Sequence, residues 1–194
     1  MKVTTITAHY TAATVLLLSL NVMAAAHHQD VSTIAPGTIN DVSGVIGINM
    51  AAGDNNAQAN LRSITIGENA QAAHRSRMTV TASPDDSAAS ASIAANTLNN
   101  ARGLISVNQV AGSGNIQLND IAIALGASTQ ISSDSLLMVR LPEAGASTDE
   151  DKLASNKTVY LDTNSLNGAA GAIQINQIAG HGNIAINRVS MPLN

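Results

Sequence analysis

Apolar and polar residues alternate in three separate stretches of this chain. In the second stretch the apolar positions step by two, from Ile105 to Val107 before a glycine-rich segment and from Ile116 to Leu118 after it. A period of two predicts a β-strand with one buried face, and the glycines supply the positive φ angles that a sharp reversal needs. Each stretch is therefore predicted to form a strand, a turn and a second strand. The three stretches are Gly44–Asn60, Gly103–Asn119 and Gly171–Asn187.

The three stretches are also copies of one another, because they align without a gap. The second copy lies 59 residues after the first, and the third lies 68 residues after the second. Self-similarity of this kind marks an architecture of stacked equivalent units. One copy alone could not bury its apolar face, so we predict an all-β fold. The expected architecture is a three-layer β-solenoid, stacked like cross-β structure, built from three imperfect strand-turn-strand repeats with flexible linkers.

The aligned columns hold aliphatic residues, carboxamides and glycines. The predicted inner apolar column contains Ile46, Ile105, Ile173, Ile48, Val107 and Ile175. The predicted amide ladder for self-assembly contains Asn49, Asn108, Asn176, Asn56, Asn115, Asn183, Asn60, Asn119, Asn187, Gln109 and Gln177. The turn glycines are Gly53, Gly112 and Gly180. Because a carboxamide carries both a donor and an acceptor, identical amides in layers about 4.8 Å apart can hydrogen-bond to one another, whereas stacked carboxylates would repel.

One aligned column carries charge: Leu61, Asp120 and Arg188. Asp120 and Arg188 should attract each other across adjacent layers, but as an exposed pair they would add only about 0–1 kcal/mol to stability.

The two ends of a solenoid expose strand edges, which terminal capping units normally cover. The third repeat here runs almost to Asn194, so we expect an uncovered edge that can template another molecule, and hence self-assembly into a fibre. The sequence leaves open whether each repeat forms a hairpin or an arch.

The segments around the repeats differ from them in composition. Alternation continues beyond the second strand of the last two repeats and predicts a third strand there. Two extended patches in the second linker, Leu136–Leu141 and Thr158–Leu161, are predicted to pair as an accessory hairpin. The predicted organisation is a signal peptide (1–26), a flexible lead (27–38), repeat 1 (39–70), a mobile linker (71–98), repeat 2 (99–126), a second linker (127–164) and repeat 3 (165–194).

The first 26 residues have a charged start, a short apolar run and a small-residue cleavage site, which is the pattern of a secretory signal peptide. The chain has no cysteine, so an exported form would have no disulfides. Tyr160 is the only aromatic residue after the signal, and charged residues make up 11% of the chain. A conventional enzyme core uses more aromatic residues. A net charge of −4 with so few aromatics also argues against nucleic-acid binding.

Candidate chemistry in this chain is weak, so no catalytic residue, metal site or cofactor is predicted. Gly112-x-Gly114 is followed by a strand rather than a helix, which favours a turn over a phosphate loop. His27 and His28 with Asp30 could hold a transition metal, but a disordered tail is favoured, and His181 is favoured as a solvated turn residue. The acidic pairs Asp85-Asp86 and Asp149-Glu150-Asp151 lie in polar runs without an apolar pocket, which favours solvated linker charge.

The motif N-x-A-x-G-x-I-x-[IV]-N-Q-x-A-G-x-G-N-I-x-x-N resembles the repeats of Fap-type bacterial functional-amyloid subunits, over about residues 40–70, 99–126 and 167–194. The order of Gln109, Gly112 and Asn115 is also similar to that of the curlin repeat. The resemblance implies a homopolymer, associated with related fibre subunits and an outer-membrane export machinery. It also implies passage through the periplasm to the cell surface or beyond, and cross-β fibres in biofilm. Two alternatives remain at this point: a monomeric cell-surface β-solenoid module for adhesion or binding, and a hydrolase on a β-helix.

Overall fold

The computed structural model describes residues 29–82, 87–140 and 156–193, which form eleven strands and the turns between them. Sheet I contains β1 (Gln29–Ile34), β5 (Ala88–Ile93) and β9 (Lys157–Leu161). Sheet II contains β2 (Ser43–Ala52), β6 (Arg102–Ala111) and β10 (Ala170–Ala179). Sheet III contains β3 (Ala57–Ile66), β7 (Ile116–Leu125) and β11 (Ile184–Leu193). Sheet IV contains β4 (Asn69–Thr81) and β8 (Ser128–Arg140).

The chain passes through the sheets in the same order each time, so that each passage forms one layer of the stack. Layer 1 is β1–β4, layer 2 is β5–β8 and layer 3 is β9–β11. All strand pairs are parallel and join equivalent residues, as in the glycine column Gly44, Gly103 and Gly171. The predicted three-layer β-solenoid stack is confirmed, and layer 2 lies between the other two.

Each repeat forms an arch rather than a hairpin. β6 and β7 follow each other in sequence but belong to different sheets, and each pairs with the corresponding strands of the other layers. Alternate residues of β6 therefore face two different interiors. Val107 packs with Ile93 of sheet I, whereas Asn108 bonds to Asn60 of sheet III.

The three interiors between the sheets have different chemistry. Aliphatic side chains fill the space between sheets I and II, where Ile34, Ile93 and Leu98 cluster with the inner apolar column. Alanines fill much of the space between sheets III and IV, with Ala72 and Ala122 among them. Sheets II and III instead meet through hydrogen-bonded carboxamides. The stack thus combines two mainly apolar interiors with one mainly polar interior.

The corner between sheets I and II repeats its backbone conformation in every layer. Ile39, Leu98 and Leu166 have φ angles of 59°, 59° and 64°, which is rare for a branched side chain. Leu98 is fully buried there and packs in the apolar cluster. Burial of the side chain offsets the backbone strain of about 1–3 kcal/mol at such positions.

The layers extend into segments that the sequence predicts to be flexible or linking. The expected flexible lead contains β1, and the expected first linker contains most of β4 and all of β5. Small residues fit these strands because Ala89 and Ala91 of β5 are 1% and 0% exposed against Ala111. The predicted signal peptide lies outside the described residues. None of the described residues forms a helix that is long and apolar enough to cross a membrane.

Two predictions about strands are wrong. The patches beginning at Leu136 and Thr158 do not form a hairpin, since the first belongs to β8, which pairs with β4, and the second belongs to β9, which pairs with β5. The alternation after Asn119 is not a further strand either, because β7 continues without a break to Leu125. A single ten-residue strand therefore takes the place of the two short strands that the alternation of apolar residues suggested.

Candidate self-assembly core

Two asparagine columns lie between sheets II and III and bond to each other. Asn119 Nδ2 donates to Oδ1 of Asn108 across the interior at 2.9 Å and to Oδ1 of Asn60 in the layer below at 3.0 Å. Asn108 Nδ2 donates to Oδ1 of Asn49 at 3.0 Å. Asn108 and Asn119 are both fully buried. The two columns therefore form one interlocked network.

The network continues unchanged into layer 3. Asn176 Nδ2 bonds Oδ1 of Asn108 at 3.0 Å, and Asn187 Nδ2 bonds Oδ1 of Asn176 at 2.9 Å and the backbone oxygen of Ile175 at 3.1 Å. A buried amide without partners costs about 1–3 kcal/mol. Since each amide here bonds within its layer and to the next one, the polar interior is stable only while layers remain stacked in register.

A further asparagine column lies at the arch, directly after the turn glycines. The backbone N–H of Asn115 donates to Oδ1 of Asn56 at 3.0 Å, and the backbone N–H of Asn183 donates to Oδ1 of Asn115 at 2.9 Å. Asn115 Nδ2 also donates to the oxygen of Gly180 at 2.8 Å. These bonds satisfy backbone groups that the turn leaves without a strand partner.

The backbone angle requires all three turn glycines, and the stacking distance also requires two of them, Gly53 and Gly112. Gly53, Gly112 and Gly180 have φ angles of 96°, 113° and 139°. A Cβ on Gly112 would lie 2.0 Å from the carbonyl oxygen of Gly180, and a Cβ on Gly53 would lie 2.3 Å from that of Gly112. A side chain at these positions would push the layers apart.

The glutamines of the predicted ladder face sheet I. Gln109 Nε2 donates to the backbone oxygens of Ser32 and Ser92, both at 2.9 Å, and Gln177 Nε2 donates to Oε1 of Gln109 at 2.9 Å. In layer 1 this column holds Met50. The glutamines therefore connect sheets I and II as well as adjacent layers.

Sequence reasoning missed two further amide columns. Asn99 N–H bonds Oδ1 of Asn40 and Asn167 N–H bonds Oδ1 of Asn99, each at 2.9 Å. Gln58 Nε2 donates to Oε1 of Gln117 at 2.6 Å. The recurrence of asparagine four residues before the first repeat glycine is visible in the sequence and could have identified the first of these columns.

The inner apolar column is most completely buried in the middle layer. Ile105 and Val107 are 0% exposed and pack against Ile93. The equivalents in layers 1 and 3 are only partly buried and pack on the same cluster; these are Ile46, Ile48, Ile173 and Ile175. Burial thus depends on having a layer on both sides.

Asp120 forms a buried charge cluster between sheets III and IV. Its carboxylate contacts Nδ1 of His74, accepts a hydrogen bond from the Ser133 hydroxyl, and lies 3.3 Å from Nε of Arg188. The expected pairing of Asp120 with Arg188 is present, but the expected exposure is wrong, since the Asp120 side chain is 0% exposed. Because the Arg188 side chain is 39% exposed, removing one partner of this pair should cost less than the about 3–5 kcal/mol of a pair buried on both sides.

Layer 1 departs from the other layers through a compensating pair. Arg62 occupies a column that holds Ile121 and Val189, and its Nη2 donates to the Ile46 oxygen at 2.5 Å. Burial of the guanidinium lowers the pKa of Arg62. A Cβ on Gly47 would lie 2.8 Å from Nη2 of Arg62, so glycine leaves the room that the guanidinium occupies.

No metal-binding group is found among the remaining candidate residues in the described part of the chain. His181 Nδ1 accepts the Ser113 N–H at 3.0 Å, as part of the arch. No group of three or more His, Asp or Glu residues lies at metal-binding distances among residues 29–82, 87–140 and 156–193. His27 and His28 lie outside the described residues, as do the acidic pairs at 85–86 and 149–151.

A parallel, in-register stack of layers joined by amide ladders defines an amyloid-like β-solenoid protein. The model of the functional amyloid protein FapB/FapC family matches residues 13–194. The chain belongs to this family, and the resemblance to Fap-type subunits is thereby confirmed. No solved structure matches the chain.

Proposed function

We propose that this protein is an exported structural subunit that stacks end to end into extracellular amyloid-like fibres supporting biofilm or adhesion. The observation that carries this proposal is the difference in burial between equivalent columns. Asn108 and Ile105 of layer 2 are fully buried, whereas Asn49 is exposed and Ile46 is only partly buried in layer 1. A second copy would supply the missing layer with the same residue types.

The end layers have the features that strand addition needs. β2 and β10 are the two edge strands of sheet II, and β3 and β11 are those of sheet III. Edge strands present backbone donors and acceptors that a further strand can pair with. Membership of a functional amyloid family supports addition of another copy over addition of an unrelated chain. The amide columns and inner apolar column are the residues that we assign to self-assembly.

Export and partners follow from the predicted signal peptide together with the family. The subunit would pass through the periplasm and an outer-membrane export machinery before assembling with itself and with related fibre subunits. Layer 1 deviates at Gly47, Met50 and Arg62 from the columns of layers 2 and 3. These deviations make layer 1 a weaker layer, and a weaker layer at one end slows continuous growth. They therefore support the role of a minor or nucleating subunit as readily as the role of main fibre component.

Seeded growth of the purified chain tests this function. We expect concentration-dependent thioflavin fluorescence, acceleration by preformed seeds, and a reflection near 4.8 Å along the fibre axis. Mass per length is the sharper measurement. If the full 19.7 kDa chain spans three layers of about 4.8 Å, the fibre has a mass per length of about 14 kDa per nm. This value is one third of the mass per length of a fibre in which each chain forms one layer. A monodisperse monomer at high concentration would instead favour the monomeric adhesion module.

A further inference from the structure

Sheet IV is one strand smaller than the other sheets. Among the described residues, sheets I, II and III each have a strand in all three layers, whereas sheet IV has only β4 and β8. These two strands are 13 residues long and pair in parallel over their whole length. β8 is therefore an edge strand, and the described residues leave the place beside it in layer 3 without a strand.

One face of β11 is open as a result. β3 and β11 are the sheet III strands of the two end layers, so each has a neighbouring strand on one side only. The alternate residues of β3 that face sheet IV are all partly buried, whereas the equivalent residues of β11 are all exposed. The difference comes from the cover that sheet IV provides and not from the position at an end. The exposed residues of β11 are Ile184, Ile186, Arg188, Ser190 and Pro192.

Sheet IV is also displaced toward layer 3 relative to sheet III. His74 of layer 1 contacts Asp120 in layer 2, and Nη2 of Arg188 in layer 3 donates to the Ser135 hydroxyl of layer 2 at 3.0 Å. A third strand of sheet IV would therefore lie over the outer edge of β11. In an end-to-end fibre, this place would be bordered by β8 of one copy and β4 of the next, so one added strand could pair with both edges.

The groove between the edge of β8 and the open face of β11 presents backbone, apolar and cationic groups. The N–H and C=O groups of alternate residues in β8 point to its open edge, because a strand that is paired on one side uses only every second residue. Another polypeptide backbone matches such groups better than a lipid does. Ile184 and Ile186, which are 45% and 46% exposed, form an apolar floor. The guanidinium of Arg188, whose side chain is 39% exposed, has more donors than its bonds to Asp120 and Ser135 use.

We infer that this groove binds an extended segment of a second polypeptide, which adds to sheet IV as a third strand parallel to β8. All strand pairs of the stack are parallel, so an added strand in this orientation continues the sheet. The groove is present in a single copy, and the inference therefore does not depend on fibre formation.

The packing of β4 on β7 indicates which side chains the segment needs. His74 contacts Asp120, and Ala72 lies in one cluster with Ala122, so β4 runs antiparallel to the strands of sheet III. In a third strand, the residue at position 74 would lie opposite Arg188 and should be acidic. The second and fourth residues after it would lie opposite the two isoleucines and should be aliphatic.

The test uses a labelled synthetic peptide with the sequence of residues 69–81, changed by His74→Glu and Ser76→Val; Met78 already supplies the second apolar residue. With the soluble full chain, we expect saturable binding of one peptide per chain by fluorescence anisotropy, and slower amide hydrogen exchange in β8. The same peptide with His74→Lys should bind about tenfold or more weakly at low salt, because lysine is repelled by Arg188. Equal binding of the two peptides would overturn the inference.

Variants of the chain locate the binding site. Ile186→Lys should weaken binding about tenfold or more, because it places a charge without a partner in the apolar floor. Leu136→Lys is the matched control and should bind like the wild type, because Leu136 is 48% exposed on the outer face of β8. Equal binding by these two variants would mean that the peptide adds to any open edge, which would overturn the inference. The comparison of the two peptides uses the unchanged chain, so it decides the question even if Ile186→Lys does not fold.

Two other occupants of the groove would also overturn the inference. Deleting residues 144–152 removes the nine residues by which the connection from β8 to β9 exceeds the connection from β4 to β5. If only the shortened chain binds the peptide, the connection of the same chain fills the groove. If the soluble chain binds the peptide and fibres do not, a second copy fills it; we expect fibres to retain one peptide per chain. Absence of fibres would overturn the proposed function and leave the result for the peptide standing.

Discussion

Replacing an inner isoleucine with alanine separates burial inside one copy from burial inside a fibre. Ile105 in layer 2 is 0% exposed, whereas its equivalents Ile46 and Ile173 in the end layers are partly buried. In an isolated copy, Ile105→Ala should therefore be the most damaging of the three changes. In an end-to-end fibre every layer has neighbours on both sides, so the three changes should have similar effects.

The size of the effect follows from the loss of buried apolar atoms. Truncating a buried isoleucine to alanine typically costs about 2–5 kcal/mol, and each 1.4 kcal/mol is a factor of about ten in an equilibrium constant. Measured against an unfolded soluble chain, even the lower value should raise the critical concentration for assembly about 30-fold. The end-layer variants should reach this increase only if another copy covers them.

Sedimentation of fibres at equilibrium measures the critical concentration directly. Leu136→Ala is the matched control, because Leu136 is 48% exposed on the outer face of sheet IV and stays exposed in the stack. If Ile105→Ala raises the critical concentration while Ile46→Ala and Ile173→Ala leave it at the control value, the end layers are not covered in the fibre. The stacking model would then be refuted.

Three further changes probe the stability of single sites. Gly47→Ser should lower the free energy of unfolding, measured by urea denaturation, by about 1 kcal/mol, because its Cβ would displace the Arg62 guanidinium from the Ile46 oxygen, and adding Arg62→Ile should restore it. Asp120→Asn should cost about 1–3 kcal/mol, because an amide cannot accept both the hydrogen bond from Ser133 and the one from Arg188 as the buried carboxylate does. The hydrogen bond from its hydroxyl to Asp162 raises the pKa of Tyr160, so its absorbance should titrate above pH 10 and move down in Asp162→Asn.

Each of these changes has a distinct negative outcome. An additive loss in the glycine and arginine double variant would mean that the two residues are not coupled. Asp134→Asn, at an exposed pair, is the control for the buried aspartate and should cost less than about 1 kcal/mol. Because folding raises the pKa of Tyr160, its contribution to stability is present below the unfolded pKa and is lost as pH rises through the folded value. Constant stability through that range would contradict the hydrogen bond.

The stack of layers was predictable because equivalent columns repeat the same residue types. The glycines and asparagines recur at one register, so aligning the copies also aligns the layers. β4 and β8 could not be found in this way. They pair along their whole length, but most of their columns join unlike residues, such as His74 with Ser133 and Arg77 with Leu136, which gives an alignment little similarity to detect.

The strands of sheet I were missed for a different reason. β5 has the sequence AASASI, which in isolation is typical of a polar, low-complexity linker. Ala89 and Ala91 are nevertheless buried against Ala111, on the same face of β5 as the fully buried Ile93. The interlocking of Asn108 with Asn119 was also beyond the sequence, since it requires knowing that each repeat is an arch.

Unequal spacing between the repeats does not disturb the equivalence of the layers. Equivalent residues of layers 1 and 2 are 59 apart throughout, and those of layers 2 and 3 are 68 apart throughout. The nine additional residues must all lie between Arg140 and Lys157, after one layer ends and before the next begins. Register is therefore set by the columns and not by the length of the connection. A layer supplied by another molecule, with no connection at all, would therefore meet the same columns as a layer supplied by the same chain.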